Sequence, residues 1–466
     1  MKQNYFDYLD LDALNADYPI GPSFLESYAG MSADELRARQ NERFLRIVAF
    51  GWKVPFYQRL WQEKGLAPED IRSIDDLHVL PVYSKDDLMA SVERFPPLGD
   101  FHGLSTYSAD ERPPVILQTT SGTTGVPQPL ICGPKSREVQ AMLLARLYAF
   151  QGVTSSDVIH SVYGHGMVNG GHYIRETVLH WVGATLLTAG TGVETRSTQQ
   201  IQLMRSFGAT VIVGFADYIN HLSHVAQLAN VVPGRDIPVR LISGHVGKVG
   251  RAALSDAWGG AAVYDWYGVG DTGAIAGEGP DQDGLYILED AQLIELLDVD
   301  AGEPVVAGEL GDIVCTCLYK DDLFPIIRFN THDVTRLRSG DTNPFELPFR
   351  RMEGFLGRSD NMVKLRGVNI FPQAIGEIIG QNFAVATGEY LCRVSSKDGR
   401  EEMVVVVETS DLGEELKRAI EMILRERLGI EIGVSLAPPG ATAQATGLET
   451  RQKPIRLIDE RSGEPE

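Results

Sequence analysis

From about residue 115 to residue 330, short aliphatic and β-branched runs alternate with stretches of helical periodicity. The runs at 115–117, 184–187, 209–213, 240–242 and 262–264 read as strands, and the alternation predicts an α/β body with substantial sheet. The first hundred residues read as helical and irregular. Ser32 and Glu35 have capping-box spacing: the hydroxyl accepts from the Glu35 N–H while the carboxylate reaches back. Leu36, Phe44, Leu45 and Val48 follow at roughly helical spacing, and Pro55 limits the run. A charged, proline-containing connection occupies 91–114. A second pattern begins near 358. Four valines at 404–407 predict a buried strand, and 414–428 an amphipathic helix with Leu416, Ile420, Ile423 and Leu424 on one face and Gly429 as its stop. The Pro-, Gly-, Ala- and Thr-rich stretch 437–452 reads as a loop. The plan is therefore a large N-terminal domain, 1–357, with β-sheets packed by helices, and a small α+β domain, 358–466.

Composition narrows the classes. The chain has 466 residues, enough for about three structural units at roughly 150 residues each. With 43% hydrophobic and 23% charged residues it reads as globular. Its 42 Lys and Arg stand against 63 Asp and Glu, a net charge of −21, which argues against nucleic acid or an anionic membrane as a partner. No apolar run approaches the ~18 residues of a spanning helix, and the N-terminus has no basic segment followed by an apolar one. Four scattered cysteines, Cys132, Cys315, Cys317 and Cys392, indicate a reducing, cytoplasmic compartment. Cys315 and Cys317 share a strand face, yet no second cysteine pair or nearby histidine completes a metal set, so they read as small buried hydrophobes.

Four segments carry candidate chemistry. The stretch QTTSGTTGVPQP at 118–129 clusters hydroxyls and backbone N–H groups around two glycines, which suits phosphate oxygens, although it lacks Walker A spacing. YDWYGVGDT at 264–272 sets an aromatic ring beside flexible backbone and then a carboxylate, Asp271, a hard ligand for a metal on a polyphosphate. FPIIRFNTHD at 324–333 ends an apolar run in Asp333, able to accept two ribose hydroxyls. GRSDNMVKLRG at 357–367 joins the two predicted domains. Each taken alone also fits a surface loop, turn or cap.

Together, in this order, the segments resemble the adenylate-forming acyl/aryl-CoA ligase superfamily. The stretches 54–57, 71–77, 80–88 and 163–171 bring the chain nearest to its phenylacetate-CoA ligase-like branch. The resemblance implies the adenylate-forming enzyme fold with a mobile C-terminal lid, and a two-step reaction in which a carboxylate attacks the α-phosphate of ATP and CoA then displaces AMP. It implies ATP, Mg²⁺ and CoA as cofactors and, by analogy, a homodimer. It makes Ser121, Gly122, Thr123, Thr124 and Gly125 the phosphate loop. Tyr267 becomes the ring against adenine and Asp265 the partner of its amino group, with Trp266, Gly268 and Thr272 beside them. Asp333 becomes the ribose ligand, Asp271 the Mg²⁺ ligand, Arg358 a ribose or phosphate contact and Asp360 the hinge. Gly367 borders the pantetheine passage, and Lys453 is the lysine that enters for adenylation.

The chain departs from the family pattern in three places. Val126 and Gln128 stand where the phosphate loop usually carries lysine, with Lys135 the nearest lysine in sequence. Asp271 replaces a glutamate one methylene longer. The stretch 277–290 has neither Cys nor His, so no structural zinc is expected there. By the same resemblance the acid binds among Tyr163, His165, Asn169, His172, Phe215, Ala216, Gly244, His245 and Tyr267, with Phe215 and Tyr267 suited to sandwiching an aromatic ring. The polar His165, Asn169 and His172 lead to the expectation of a benzoate-type acid bearing hydroxyl, amino or carboxy groups. Two other readings are open: an aryl-adenylate former passing the acyl group to a carrier-protein thiol or an amine, and a catalytically degenerate ligand-binding homologue.

Overall fold

A computed structural model of the chain describes residues 4–120, 127–246, 250–299, 301–340, 342–360, 362–366, 368–397, 400–448 and 454–461. They form two compact units: 1–157, 165–186 and 266–354 make one, and 158–164, 187–265 and 355–466 the other. The strand Ala262–Val269 gives its first residues to the second unit and its last to the first.

In the first unit, the helix Ala33–Gly51 opens on the capping box, with Ser32 and Glu35 bonded in both directions. The helix Pro134–Phe150 is buried along nearly its whole length. Its Arg146 and the Arg43 of Ala33–Gly51 both pair with buried Asp290, which also accepts from the Tyr28 hydroxyl at 2.8 Å. A buried charge is tolerable only when paired in this way. Beside it, Phe24, Tyr28, Leu36, Phe150, Tyr286, Leu347 and Phe349 form an apolar cluster. The predicted alternation ends at Ala262. From there the chain runs through Gly273–Glu278, Leu285–Ile287, Gln292–Leu297, Gly311–Cys317 and Phe329–Thr335, with no helix between them among the described residues. Neighbours in two antiparallel ladders, these strands connect through turns and loops and need no crossover helix. Cys315 and Cys317 lie buried on one strand, sulfurs 4.0 Å apart.

In the second unit, Val158–Ser161, Val211–Phe215, Leu241–His245 and the start of Ala262–Val269 form a parallel sheet in that order. Helices Ser197–Phe207, Ala216–Leu228 and Arg251–Ala257 supply the crossovers, and Ile201, Leu222, Ile242 and Trp258 are among the core they share with the strands. The predicted valine run lies in Arg400–Thr409, which pairs with Ala386–Lys397 and Gly433–Ala437. The predicted helix is Glu414–Leu428, ended by Gly429 at φ 71°. Ile420 and Leu424 point into a core with Ile375, Ile379, Val405 and Val434. Within the expected loop at 437–452, the four residues Ala443–Thr446 form a helical turn.

Candidate functional site

The nucleotide candidates of the first unit meet where the strands Ala262–Val269 and Phe329–Thr335 end. Both Tyr267 and Asp333 are buried, and the Tyr267 hydroxyl donates to Asp333 Oδ2 at 2.8 Å, with Thr331 Oγ1 3.4 Å away. Burial, and then the Asp333 charge, hold the phenol protonated far above its ordinary range, so it acts as a donor. Just before Asp333, His332 sits at φ 57° while its N–H bonds Asn330 Oδ1. A non-glycine residue in the left-handed region is uncommon and concentrates at functional positions. Gly268 is required by close approach: a β-carbon there would meet Gly273 O at 2.3 Å. The Trp266 indole packs edge-on against Tyr173.

Beyond Tyr267 the chain turns at 270–272, and buried side chains bond three carbonyls in succession. Asn169 Nδ2 donates to Gly270 O at 3.3 Å. Lys320 Nζ donates to Asp271 O at 2.8 Å, with Gln140 Nε2 at 3.4 Å. The Tyr319 hydroxyl and Gln292 Nε2 donate to Thr272 O at 2.6 and 3.0 Å. Thr272 is itself fully buried, its hydroxyl bonded to Gly273 O. The Asp271 carboxylate, 5% exposed, accepts from Gln128 Nε2 at 2.6 Å. Burial pushes its pKa up, opposed by the charge of Lys320 and the bond from Gln128. Lys135 is bound elsewhere, 2.6 Å from Asp321 Oδ1.

The Asn169 amide is engaged at both ends. Arg137 Nη1 donates to its Oδ1 at 2.5 Å while its Nδ2 holds Gly270, so its amide builds the turn. Arg137 is fully buried, and its Nε bonds Glu176. His172 Nε2 donates to Gly166 O at 2.7 Å, and its ring stands edge-on to His165.

In the second unit the candidates cluster at the carboxyl ends of parallel strands, where α/β sheets place ligands. The rings of Phe215 and His245 stack with centroids 4.8 Å apart, and Tyr163 stands edge-on to both. Ala216 opens the helix Ala216–Leu228 directly after Phe215. Gly244 lies against Gly214 of the next strand. Asp265 Oδ1 accepts from the Val246 N–H at 2.9 Å. Arg358 and Asp360 face each other: Nε and Nη2 fork onto the carboxylate at 2.8 and 2.5 Å. Ser121, Gly122, Thr123, Thr124, Gly125, Gly367 and Lys453 lie outside the described residues.

The sequence reading passed over three residues. Lys320 directly follows the apolar strand Gly311–Cys317 and its two buried successors, so a cation ending a buried run was the available signal. Arg137 gave no signal within its helix. Arg456, three residues past Lys453, pairs with Glu389 at 2.8 Å and Asp217 at 2.5 Å and lies over the Tyr390 ring.

Mg²⁺ fits Asp271. The ion typically takes one or two protein carboxylates and completes its shell with phosphates and water. Among the described residues no group of three or more His, Cys, Asp or Glu is placed to hold a metal alone, and none of the helices is long and apolar enough to cross a membrane.

Residues 367–461 match the family described as the AMP-binding enzyme C-terminal domain. The phenylacetate-coenzyme A ligase of Aromatoleum evansii is 29% identical over 456 residues, 95% of this chain and 98% of that protein. The Escherichia coli (strain K12) phenylacetate-coenzyme A ligase is 29% identical over 422 residues, 87% and 90% of the two chains. A solved 2-hydroxyisobutyryl-CoA ligase, in complex with 2-HIB-AMP, superposes with a TM-score of 0.80 at 23% identity, covering 93% of this chain and 91% of that one. The chain is similar over nearly its whole length to phenylacetate-CoA ligases, shares the fold of a solved 2-hydroxyisobutyryl-CoA ligase, and matches an AMP-binding C-terminal domain over 367–461.

Proposed function

We propose that this chain is an ATP-dependent ligase that activates a small aromatic carboxylic acid as its acyl-AMP and transfers the acyl group to CoA. The observation that carries the reading is the buried Tyr267–Asp333 bond beside the braced Asp271 turn, on a chain homologous to phenylacetate-CoA ligases. The chemistry asks mainly for position and charge balance. Asp333 takes the ribose hydroxyls, with Tyr267 fixing its carboxylate. Asp271 holds the divalent cation, which supplies charge neutralisation on the phosphates when bound. The acid carboxylate attacks the α-phosphorus, and pyrophosphate leaves. Lys453 offers its ammonium to the reacting oxygens, and the CoA thiol then displaces AMP. The lobe 358–466 serves as a lid pivoting at Asp360, and Arg358, forked onto Asp360, is the residue that turns to ribose or phosphate.

For the acid, the flat Phe215–His245 stack and the edge of Tyr163 favour an aromatic ring. A hydroxy-, amino- or carboxy-benzoate is the finer reading, with the His245 imidazole as partner of the substituent. We also propose a cytoplasmic enzyme, its four cysteines free and buried, and a homodimer, to be read by light scattering. The test follows pyrophosphate, AMP and thioester with ATP, Mg²⁺ and a panel of phenylacetate, benzoate, substituted benzoates and 2-hydroxyisobutyrate, with and without CoA. Thioester in step with AMP on aromatic acids supports the proposal. Adenylate without CoA turnover points to a carrier-protein thiol or amine acceptor. Silence across the panel refutes the ligase reading and leaves a ligand-binding homologue, and preference for phenylacetate over substituted benzoates refutes the finer one.

A further inference from the structure

Lys320 is 1% exposed, as is Gln128, and the two bond different groups of the same residue. Gln128 meets the carboxylate of Asp271 and Lys320 its carbonyl. A buried ammonium is costly unless compensated. Among the described residues, that of Lys320 has one hydrogen-bond acceptor, Asp271 O, and one ring, Phe324, at 5.2 Å, with no carboxylate at ion-pair distance. This places a positive charge next to Asp271 without occupying its carboxylate oxygens. A direct Lys–Asp pair would have closed them to a metal. Resting on the ligase reading above, we infer that Lys320 is a positioning residue of the nucleotide site. Seated on the Asp271 carbonyl, its ammonium fixes the 270–272 turn and balances the buried carboxylate, presenting Asp271 to the divalent cation of the bound nucleotide.

The test is calorimetric binding of Mg·ATP without an acid substrate, so that no turnover is needed. Lys320→Met is expected to weaken binding about tenfold or more, the scale of a lost charged interaction, and to raise the Mg²⁺ concentration at half-saturation. Lys135→Met makes the same change of net charge at a lysine paired with Asp321 and is expected to bind as wild type. Lys320→Arg keeps a cation on the Asp271 carbonyl and is expected to bind within threefold of wild type. Lys320→Gln keeps a donor for the carbonyl without the charge and is expected to share the loss of Lys320→Met; it also serves if the methionine variant does not fold. A lysine that only braced the turn would leave Lys320→Gln binding as wild type. A folded Lys320→Met or Lys320→Gln that binds within threefold of wild type, or a Lys320→Arg as weak as Lys320→Met, overturns the inference alone. Variants that all misfold assign Lys320 to the fold and overturn it too. A wild type that binds no Mg·ATP refutes the ligase reading and this inference with it.

Discussion

Tyr267→Phe removes one oxygen and leaves the ring. That oxygen carries the proton given to Asp333 Oδ2 at 2.8 Å, in surroundings where both residues are buried. A hydrogen bond to a charged group contributes about 1.5–3 kcal/mol, and here the carboxylate partner remains buried after the donor is gone. The expected loss of stability is therefore ~2 kcal/mol, well above the ~0.5 kcal/mol of an ordinary exposed change. With Asp333 as the proposed ribose ligand, the same loss reaches the nucleotide, because the bond from the phenol no longer fixes its carboxylate. KM for ATP should rise about tenfold, with a smaller change in kcat. The assay pairs urea unfolding with ATP saturation kinetics for Tyr267→Phe, Asp333→Asn and the double variant. A coupling energy of ~1.5 kcal/mol or more between the two positions is expected, since they share one bond. Additive single effects, or an unchanged KM for ATP in Tyr267→Phe, would show that Asp333 does not depend on the phenol and would refute the reasoning.

Other positions give sharper contrasts. Asn169→Leu leaves Arg137 Nη1 and Gly270 O without their shared partner, so kcat/KM should fall about tenfold or more for every acid alike; a change in acid preference instead would return Asn169 to the substrate. Arg456→Gln leaves Glu389, buried and with its pKa raised first by that burial, facing Asp217 without a cation. Hydrogen exchange in Leu457–Asp459 should accelerate by the equivalent of ~2 kcal/mol, and unchanged protection would deny the cluster a holding role. His160 is buried with Nε2 bonded to Gln200 Oε1, and burial lowers its pKa from 6.5 to about 4. The unfolded chain binds the proton first, so this stability is full above pH 6.5 and falls by ~3 kcal/mol toward pH 4. The urea midpoint of His160→Gln should fall less steeply over that window, and parallel curves would contradict the assignment.

What could be read from the chain depended on whether the cause was local. Glu414–Leu428 was legible to its ends because one face is apolar and Gly429 takes the left-handed turn that stops it. The Ser32 capping box was legible for the same reason. Gly273–Glu278 was not: its sequence, GAIAGE, lacks the β-branched and aromatic enrichment of a strand, and pairing with both Ala262–Val269 and Leu285–Ile287 holds it extended. Around the site, Tyr267, Asp271 and Asp333 stand in motifs that announce themselves. Lys320 and Arg137 do not, because a single cation in sequence looks like a solvated one until the fold removes its water. The partners that explain them, Asp271 for Lys320 and Asn169 for Arg137, lie 49 and 32 positions away.

Gly214 and Gly244 lie side by side on adjacent parallel strands, one residue before Phe215 and His245. A β-carbon on Gly244 would fall 1.7 Å from Gly214 O, and one on Gly214 would fall 2.1 Å from Val162 Cγ2. Laboratory evolution of the proposed acid site thus meets a fixed floor: a larger residue at Gly244 must push the neighbouring backbone away, and one at Gly214 must displace the Val162 side chain. Useful variation is channelled to the two rings in front, where a substitution changes the face offered to a ligand without touching the ladder that supports it.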